Sequence, residues 1–206
     1  MKNRILIFLL LAFSFTVFAQ NELKDPNDWI QKISAETAKV ETLKSEFQQK
    51  KVLSFLTNPI ESTGTFWFKQ ENQIRWEYKT PYPYLIIMKN GILTIIDEGQ
   101  ESTTDLSSNV MFEQLSSLIA GSIQGSLLNE DDKYQKEYFE NEKAVIVRFV
   151  PLSEQLLSYL KYIEIYFNKQ SLQVDELIMM EPGDDYTRIH FINPEINIEI
   201  GTDVFQ

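Results

Sequence analysis

The sequence contains no cysteine and a single histidine, His190. Without cysteine, the chain cannot hold a disulfide framework, a thiolate zinc site, an iron–sulfur cluster or a cysteine nucleophile, and no thioether-linked lipid can form at its N-terminus. One histidine excludes a multi-histidine metal centre within one chain. With 206 residues, 43% of them apolar and 24% charged, the composition is that of one globular domain.

Long hydrophobic runs are also missing, except at the N-terminus. Two basic residues, Lys2 and Arg4, precede an apolar run of 13 residues that ends shortly before the small residue Ala19. This pattern predicts a cleaved signal peptide over residues 1–19 and a single exported domain over residues 20–206. An uncleaved membrane anchor is the alternative, but the run is shorter than the roughly 20 apolar residues that span a bilayer.

Positive charge is scarce. The chain carries 19 basic and 30 acidic side chains, a net charge of −11. Removal of residues 1–19 takes away two of the basic side chains and leaves a net charge of −13. Phosphate binding depends on clustered Lys and Arg, so this balance argues against nucleic acid as a partner.

The spacing of apolar residues predicts the elements of the domain. Residues 28–50 are expected to form an amphipathic helix, because apolar residues recur there at three- and four-residue steps. A short helix is expected over residues 109–120, with Gly121 as its stop. Alternating apolar residues between turn signals predict strands over 65–69, 73–78, 84–88, 92–96, 134–139, 144–150, 159–167, 172–180, 186–192 and 196–200.

About ten or eleven antiparallel strands with two or three helices predict an α+β, mainly β fold. We expect one curved sheet or unclosed antiparallel β-barrel, with the helices as a lid on its concave side. Strand alternation predicts that one apolar set shares the inner face: Phe66, Phe68, Ile74, Trp76, Tyr78, Leu85, Ile87, Leu93 and Ile95. These side chains either fill a solid core or enclose a cavity suited to acyl chains, and the pattern leaves both open.

Acyl-chain binding would require a lid. Each methylene moved out of water is worth about 0.8 kcal/mol, so one 16-carbon chain gains on the order of 10 kcal/mol before ordering costs. A rigid pocket would not release such a ligand, whereas a lid whose closure competes with the ligand would. The expected moving parts are the helix over 109–120 and the Ser- and Thr-rich residues 102–108.

Several segments resemble, in order and spacing, the periplasmic outer-membrane lipoprotein carrier family, the LolA-like proteins. The N-terminal half carries the specific segments, namely Phe47-Gln48-Gln49-Lys50, Gly64-Thr65-Phe66-Trp67-Phe68-Lys69, Ile74-Arg75-Trp76-Glu77-Tyr78, Pro81, Pro83-Tyr84-Leu85-Ile86-Ile87 and Asn90-Gly91. The second half supports them with Phe149-Val150-Pro151-Leu152, the strand over 163–167, Tyr186-Thr187-Arg188-Ile189-His190-Phe191 and Phe205. The resemblance spans essentially the whole mature chain.

The resemblance implies a monomeric periplasmic carrier with no cofactor and no catalytic activity. Such a carrier takes the acyl chains of a lipoprotein from an inner-membrane transporter, shields them in a lidded cavity and delivers them to an outer-membrane acceptor. It implies that the cavity wall includes Phe66, Ile74, Trp76, Leu115, Leu118 and Ile119. The apolar patterns add Phe47, Phe68, Tyr78, Leu85, Ile87 and Leu93 as candidate ligand-binding residues.

One position departs from the family pattern. The family has an arginine after the lysine equivalent to Lys69, where it holds the lid through hydrogen bonds to its backbone, and this sequence has Gln70 there. Glutamine offers fewer donors and no charge, so the same lid latch is not assured. This departure keeps open a carrier or sensor of free lipids or lipid-like molecules on the same fold.

An enzyme is the alternative from another class. A hydrolase could use neighbouring carboxylates, of which the chain has three groups: Asp97-Glu98, Glu130-Asp131-Asp132 and Asp184-Asp185. Each group adjoins a turn signal, where acidic residues solvate loops, and strand neighbours point to opposite faces. Ca²⁺ binding at the second or third group lacks the ligand spacing of an EF-hand. His190 alternates with apolar residues in a strand, which favours a structural role, and no metal site is predicted.

Overall fold

The computed structural model describes residues 20–206, so the predicted signal peptide over residues 1–19 lies outside the described residues. The strands are β1 (Asn21–Glu22), β2 (Thr42–Val52), β3 (Ile60–Lys69), β4 (Gln73–Thr80), β5 (Tyr84–Lys89), β6 (Ile92–Asp97), β7 (Gln100–Asp105), β8 (Tyr134–Glu140), β9 (Ala144–Pro151), β10 (Tyr162–Asn168), β11 (Val174–Met180) and β12 (Tyr186–Ile196). The α-helices are α1 (Asn27–Thr37), α2 (Val110–Ile123) and α3 (Glu154–Leu157). Short 3₁₀ turns cover Leu106–Ser108, Ser126–Asn129 and Thr202–Phe205.

All twelve strands form one antiparallel sheet in the order β1-β8-β9-β10-β11-β12-β2-β3-β4-β5-β6-β7. The two edge strands, β1 and β7, do not pair with each other within residues 20–206, so the sheet is an unclosed half-barrel. The predicted fold class is therefore confirmed, with one or two more strands than the sequence indicated. None of the helices among the described residues has the length and apolar character needed to cross a bilayer.

The predicted helix over 28–50 is wrong in its second half. Helix α1 ends at Thr37, and the chain continues as strand β2 from Thr42. Phe47 fits both patterns locally, but it lies opposite Phe191 on β12 and Gly64 on β3. Pairing with two long strands stabilises the extended form, and tertiary contacts of this kind routinely override local propensity.

Strand β7 is absent from the strands that the sequence predicts. Its six residues pair only with β6, and all six side chains are exposed. Because neither face of this edge strand is buried, its sequence shows no apolar alternation that could have indicated it. The strand predicted over 196–200 is absent, since β12 continues only to Ile196.

Strand register corrects the face assigned to two residues. Phe66 lies opposite Trp76, and Trp76 lies opposite Ile86 on β5. Leu85 and Ile87 therefore lie on the convex face, not on the inner face as predicted. Every side chain from Leu85 to Met88 is apolar, so alternation alone cannot set the phase of this strand. The remaining inner-face residues are placed as predicted: Phe66, Phe68, Ile74, Trp76, Tyr78, Leu93 and Ile95.

The helices pack on the concave face. Ile33 of α1 and Leu118 and Ile119 of α2 belong to one apolar core with the strand residues, and all three are at most 3% exposed. Helix α2 confirms the short helix predicted over 109–120; the Asn109 side chain accepts a hydrogen bond from the Phe112 N–H at 3.3 Å and so caps its start. The fold thus covers much of the half-barrel with α1 and α2.

A glycine allows the aromatic packing of this core. The ring of Phe47 lies over Gly64, and a Cβ at Gly64 would come within 2.8 Å of ring carbons of Phe47. The same Cβ would collide with the backbone oxygen of Glu77. Edge-to-face contacts then join Phe47 to Trp76 and Tyr78, with ring centroids 5.3 and 5.2 Å apart.

Candidate functional site

One end of the half-barrel is open, and we call it the mouth end. Strands β2, β4, β9 and β11 finish there, while β3, β5, β8, β10 and β12 begin there. A cavity of about 720 Å³ lies at this end between the concave face, α2 and the β9–β10 connection. Its size falls within the range of pockets that hold small-molecule ligands.

The cavity wall has an apolar and a polar part. The apolar part consists of Tyr78, Leu115, Leu118, Tyr134, Leu152, Leu156, Tyr159, Leu160 and Met179. The polar part consists of Gln49, Lys51, Gln114, Asp132, Lys133, Ser153, Gln155, Glu181 and Thr187. A wall that combines an apolar part with polar groups suits a ligand that has both apolar and polar parts.

Helix α2 supplies one side of the cavity. Leu115 and Leu118 are three residues apart and therefore share one face of the helix. Leu118 is 2% exposed and also contributes to the core, whereas Leu115 is half-buried. Ser117, between them in sequence, is exposed on another face of α2. The predicted lid helix thus forms a cavity wall.

The β9–β10 connection supplies another side of the cavity. None of its residues is among the predicted ligand-binding residues. Leu152, Leu156 and Leu160 follow one another at four-residue steps, and Tyr159 adjoins the last of them. Such spacing is a helical signal, and α3 covers part of this segment. Residues 159–161 were instead included in a predicted strand, which begins at Tyr162.

Two polar contacts lie on the strand side of the cavity. The Tyr78 hydroxyl donates a hydrogen bond to Gln49 Oε1 at 3.0 Å. Lys51 Nζ lies 3.4 Å from Glu181 Oε1, and both side chains are about one-third exposed. Burial raises the pKa of Tyr78 to about 12, and burial likewise raises the pKa of Tyr134 to about 12. Both phenols are therefore neutral across the physiological pH range.

Replacing Tyr78 by phenylalanine is expected to reduce the loss of stability at alkaline pH. The unfolded chain releases this proton near pH 10.0 and the folded chain only near 12, so the free energy of unfolding falls as the pH rises between these values. Denaturant unfolding across that range should show a shallower fall for Tyr78→Phe. The control is Tyr82→Phe, at a side chain that is 79% exposed. Equal slopes for Tyr78→Phe and the unmodified chain would contradict the burial argument.

The predicted ligand-binding residues fall into three groups. Tyr78, Leu115 and Leu118 line the cavity. Others lie in the packed core beneath it: Phe47, Phe66, Phe68, Ile74, Trp76, Leu93 and Ile119. Leu85 and Ile87 lie on the convex face and are removed from the site. The half-barrel therefore contains both a solid core and a cavity, and contact of the first two groups with a ligand stays a prediction.

Gln70 hydrogen-bonds to the backbone of the turn that follows α1. Its Nε2 donates to the Val40 carbonyl at 3.4 Å, and its backbone N–H donates to the Glu41 carbonyl at 2.8 Å. Both acceptors lie in the turn between α1 and β2. Gln70 therefore ties the end of β3 to the turn between α1 and β2, and its role in holding a lid stays a prediction.

The three acidic groups lie in or beside turns, where their side chains are exposed or bonded to neighbouring groups. His190 lies on the surface. Asp97 is exposed beside the β6–β7 turn, Asp131 pairs with Lys136 Nζ at 2.7 Å, and Asp185 accepts the Ser54 N–H at 2.6 Å. His190 is exposed on the convex face. Within residues 20–206, no three His, Asp or Glu side chains are grouped so as to hold a metal ion.

Three solved structures resemble the fold. An uncharacterized conserved protein from Thermus thermophilus is 8% identical, with a TM-score of 0.51 over 85% of this chain and 92% of that chain. A LolA superfamily protein from Nitrosomonas europaea is 9% identical, with a TM-score of 0.45 over 87% and 96%. The lipoprotein LppX from Mycobacterium tuberculosis is 8% identical, with a TM-score of 0.47 over 84% and 97%. Only the first likeness is close enough to support the fold.

Comparison at the level of sequence shows to which family the chain belongs. No curated protein sequence matches this chain significantly. A family model does match, and its description is "Outer membrane lipoprotein carrier protein LolA". The match covers residues 38–206, which is most of the chain and includes the sheet from β2 onward, α2 and the cavity wall. On that match, the chain belongs to the LolA family.

Proposed function

We propose that the chain is a periplasmic carrier that binds the acyl chains of lipoproteins in its cavity and transfers them from the inner to the outer membrane. The observation that carries the proposal is the 720 Å³ cavity, whose wall is apolar on one part and which opens at one end of a half-barrel of the LolA family. Export by a cleaved signal peptide would place the chain, beginning at Gln20, in the periplasm. The loading transporter and the outer-membrane acceptor are part of the proposal.

Helix α2 is the lid in this mechanism. It contributes Leu115 and Leu118 to the cavity wall and is joined to the sheet at β7, the edge strand. An edge strand paired on one side only is easier to displace than a central one. Outward movement of α2 would extend the cavity into the core beneath it, toward Trp76 and Phe66, and cargo release would follow its return.

The size of the cavity favours a second candidate, a carrier of free lipids or lipid-like molecules. If each methylene occupies about as much space as a water molecule, roughly 30 Å³, the observed volume holds about 24 of them. One 16-carbon chain fits within that space, whereas a cargo with several acyl chains requires the lid to move. No catalytic step is part of either candidate.

Depletion of the protein in the producing cell distinguishes the two candidates. Under the first, lipoproteins are expected to accumulate at the inner membrane and to return to the outer membrane when the chain is expressed again. Membrane fractionation followed by mass spectrometry measures this, and mass spectrometry of the gently purified protein identifies its cargo. An unchanged lipoprotein distribution together with co-purified free lipid would contradict the first candidate and support the second. Protein that stays empty after incubation with both cargoes would exclude both.

A further inference from the structure

Exposed apolar side chains are concentrated at the mouth end. Eight large apolar residues are exposed among the side chains that the structure describes, and seven of them lie there: Phe55, Leu56, Ile60, Tyr82, Leu152, Leu157 and Tyr159. The eighth, Ile92, begins β6 at the opposite end of the sheet. Scattered exposed apolar residues need no explanation, but a cluster at one end of a molecule marks a surface that meets a partner.

Two neighbouring hairpins carry the most exposed of these residues. The β2–β3 loop, residues 53–59, presents Phe55 at 77% exposure, and the β4–β5 loop, residues 81–83, presents Tyr82 at 79%. We call them the two rim loops. Residues 52–60 and 80–84 contain no charged side chain, although 24% of the chain is charged. The rim loops are thus the uncharged, protruding part of a strongly acidic protein.

Hydrogen bonds hold the first of the two rim loops in place. The Leu56 N–H donates to the Leu53 carbonyl at 2.9 Å, which closes a turn within the first loop. The Ser54 N–H donates to Asp185 Oδ1 at 2.6 Å and ties that loop to the β11–β12 connection. Polar groups of this loop are therefore partly satisfied within the protein, while Phe55 and Leu56 are left to the solvent.

We propose that the two rim loops dock the protein on the surface of a lipid bilayer, with the cavity mouth facing the leaflet. Aromatic and aliphatic side chains on an uncharged tip are suited to the boundary between headgroups and acyl chains. Leu152 and Tyr159 belong both to the exposed cluster and to the cavity wall. An acyl chain could therefore pass between the bilayer and the cavity along apolar side chains.

A lipid surface fits the rim loops better than a protein partner. Specific protein interfaces take about 20–30 residues from each side. The two loops comprise only ten residues, and their three large exposed apolar side chains, Phe55, Leu56 and Tyr82, can be surrounded by a fluid bilayer without a preformed groove. The inference rests on the proposed function for its purpose only, because bilayer docking can be measured without cargo.

The net charge of the chain determines which lipid composition favours binding. Residues 20–206 carry a net charge of −13, so a strongly anionic surface repels the protein. Docking is therefore driven by apolar insertion and is strongest on zwitterionic lipid. We expect the processed protein to float with phosphatidylcholine vesicles, and the bound fraction to fall as an anionic phospholipid replaces phosphatidylcholine.

The test compares substitutions at the two ends of the sheet. Phe55→Ser with Leu56→Ser should weaken vesicle binding roughly tenfold or more, since two apolar side chains no longer insert. Ile92→Ser is the matched control, because Ile92 and Leu56 are both 41% exposed. Circular dichroism and titration with a fluorescent fatty acid verify that fold and cavity are unchanged, which separates this proposal from the carrier function.

The absence of cysteine allows a second measurement. A cysteine introduced by Phe55→Cys, or by Ile92→Cys as the control, is the only thiol in the chain and accepts a polarity-sensitive dye at one position. Vesicles should shift the emission of the dye toward the blue at position 55 and leave it unchanged at position 92. Wild-type protein that does not float, equal binding by the rim variant, or binding that increases with anionic lipid would each overturn the proposal. The first of these outcomes would assign the rim loops to a protein partner.

Discussion

The Leu115→Glu variant is expected to bind acyl chains at least about tenfold more weakly than the unmodified chain. Leu115 lines the cavity on α2, so a carboxylate there would face the methylenes of the ligand without a partner. Burying an unpaired charge against apolar groups costs several kcal/mol, which exceeds what is needed for a tenfold loss. Leu115 is only half-buried in the free protein, so the empty state can turn the carboxylate toward water and keep its fold.

A matched control lies on the same helix. Ser117→Glu adds the same charge two residues away, on the exposed face of α2, and should leave binding unchanged. Titration of both variants with a fluorescent fatty acid measures the difference, and thermal unfolding verifies that both are folded. Equal affinities for the two variants would show that α2 is not a wall of the ligand site, and the proposed lid would then have to be abandoned.

Arg148→Met is expected to lower the free energy of unfolding by about 3 kcal/mol. Arg148 Nη2 lies 2.6 Å from Glu164 Oε1, and its Nη1 lies 3.0 Å from Glu137 Oε2. The Glu164 side chain is only 7% exposed, so removal of the guanidinium would leave a carboxylate buried without its cation. Breaking a buried pair in this way typically costs about 3–5 kcal/mol, and the lower value applies because Arg148 itself is one-quarter exposed.

Arg148 also packs against two aromatic rings, so the substitution has to remove the charge while keeping the packing. Its guanidinium lies 4.8 Å from the ring centroid of Phe139 and 4.6 Å from that of Tyr162. Methionine retains part of the apolar contact with these rings and removes the charge. Denaturant unfolding monitored by circular dichroism measures the loss of stability.

Two further variants make the Arg148 prediction decisive. Arg148→Met combined with Glu164→Gln should recover much of the lost stability, because no buried charge is then left unpaired. Lys32→Met breaks the exposed pair with Asp28, whose charged atoms lie 2.7 Å apart, and should cost no more than about 0.5 kcal/mol. A loss of stability for Arg148→Met as small as that for Lys32→Met would show that the pair of Arg148 and Glu164 is an ordinary surface contact.

The local parts of the fold could be predicted from the sequence. Helix α2 has apolar residues at helical spacing after Asn109, and β4 alternates apolar and polar side chains between turn residues. Each of these signals is complete within about ten residues and does not depend on what lies opposite. Among the candidate ligand-binding residues, the apolar strand pattern named Tyr78 and the family resemblance named Leu115 and Leu118, and these three line the cavity.

Where the pattern was ambiguous, the prediction failed. Apolar residues at Val40, Leu43 and Phe47 fit a helix, but pairing of β2 between β12 and β3 makes this segment a strand. Strand β5 is apolar throughout, so only its pairing with β4 shows that Leu85 and Ile87 face outward. Leu152, Leu156 and Leu160 joined the site only because α3 lies at the mouth end.

The sequence by itself determined the class of the fold, the inward set of aromatic residues and the membership of a carrier family, because each depends on order and spacing along the chain. Only the tertiary structure decided where the core is solid and where it is hollow. That outcome depends on how closely α2 and the β9–β10 connection approach the concave face, and such distances between remote segments are not encoded in any local pattern. The grouping of exposed apolar loops around the mouth likewise emerged only when the strand ends were brought together.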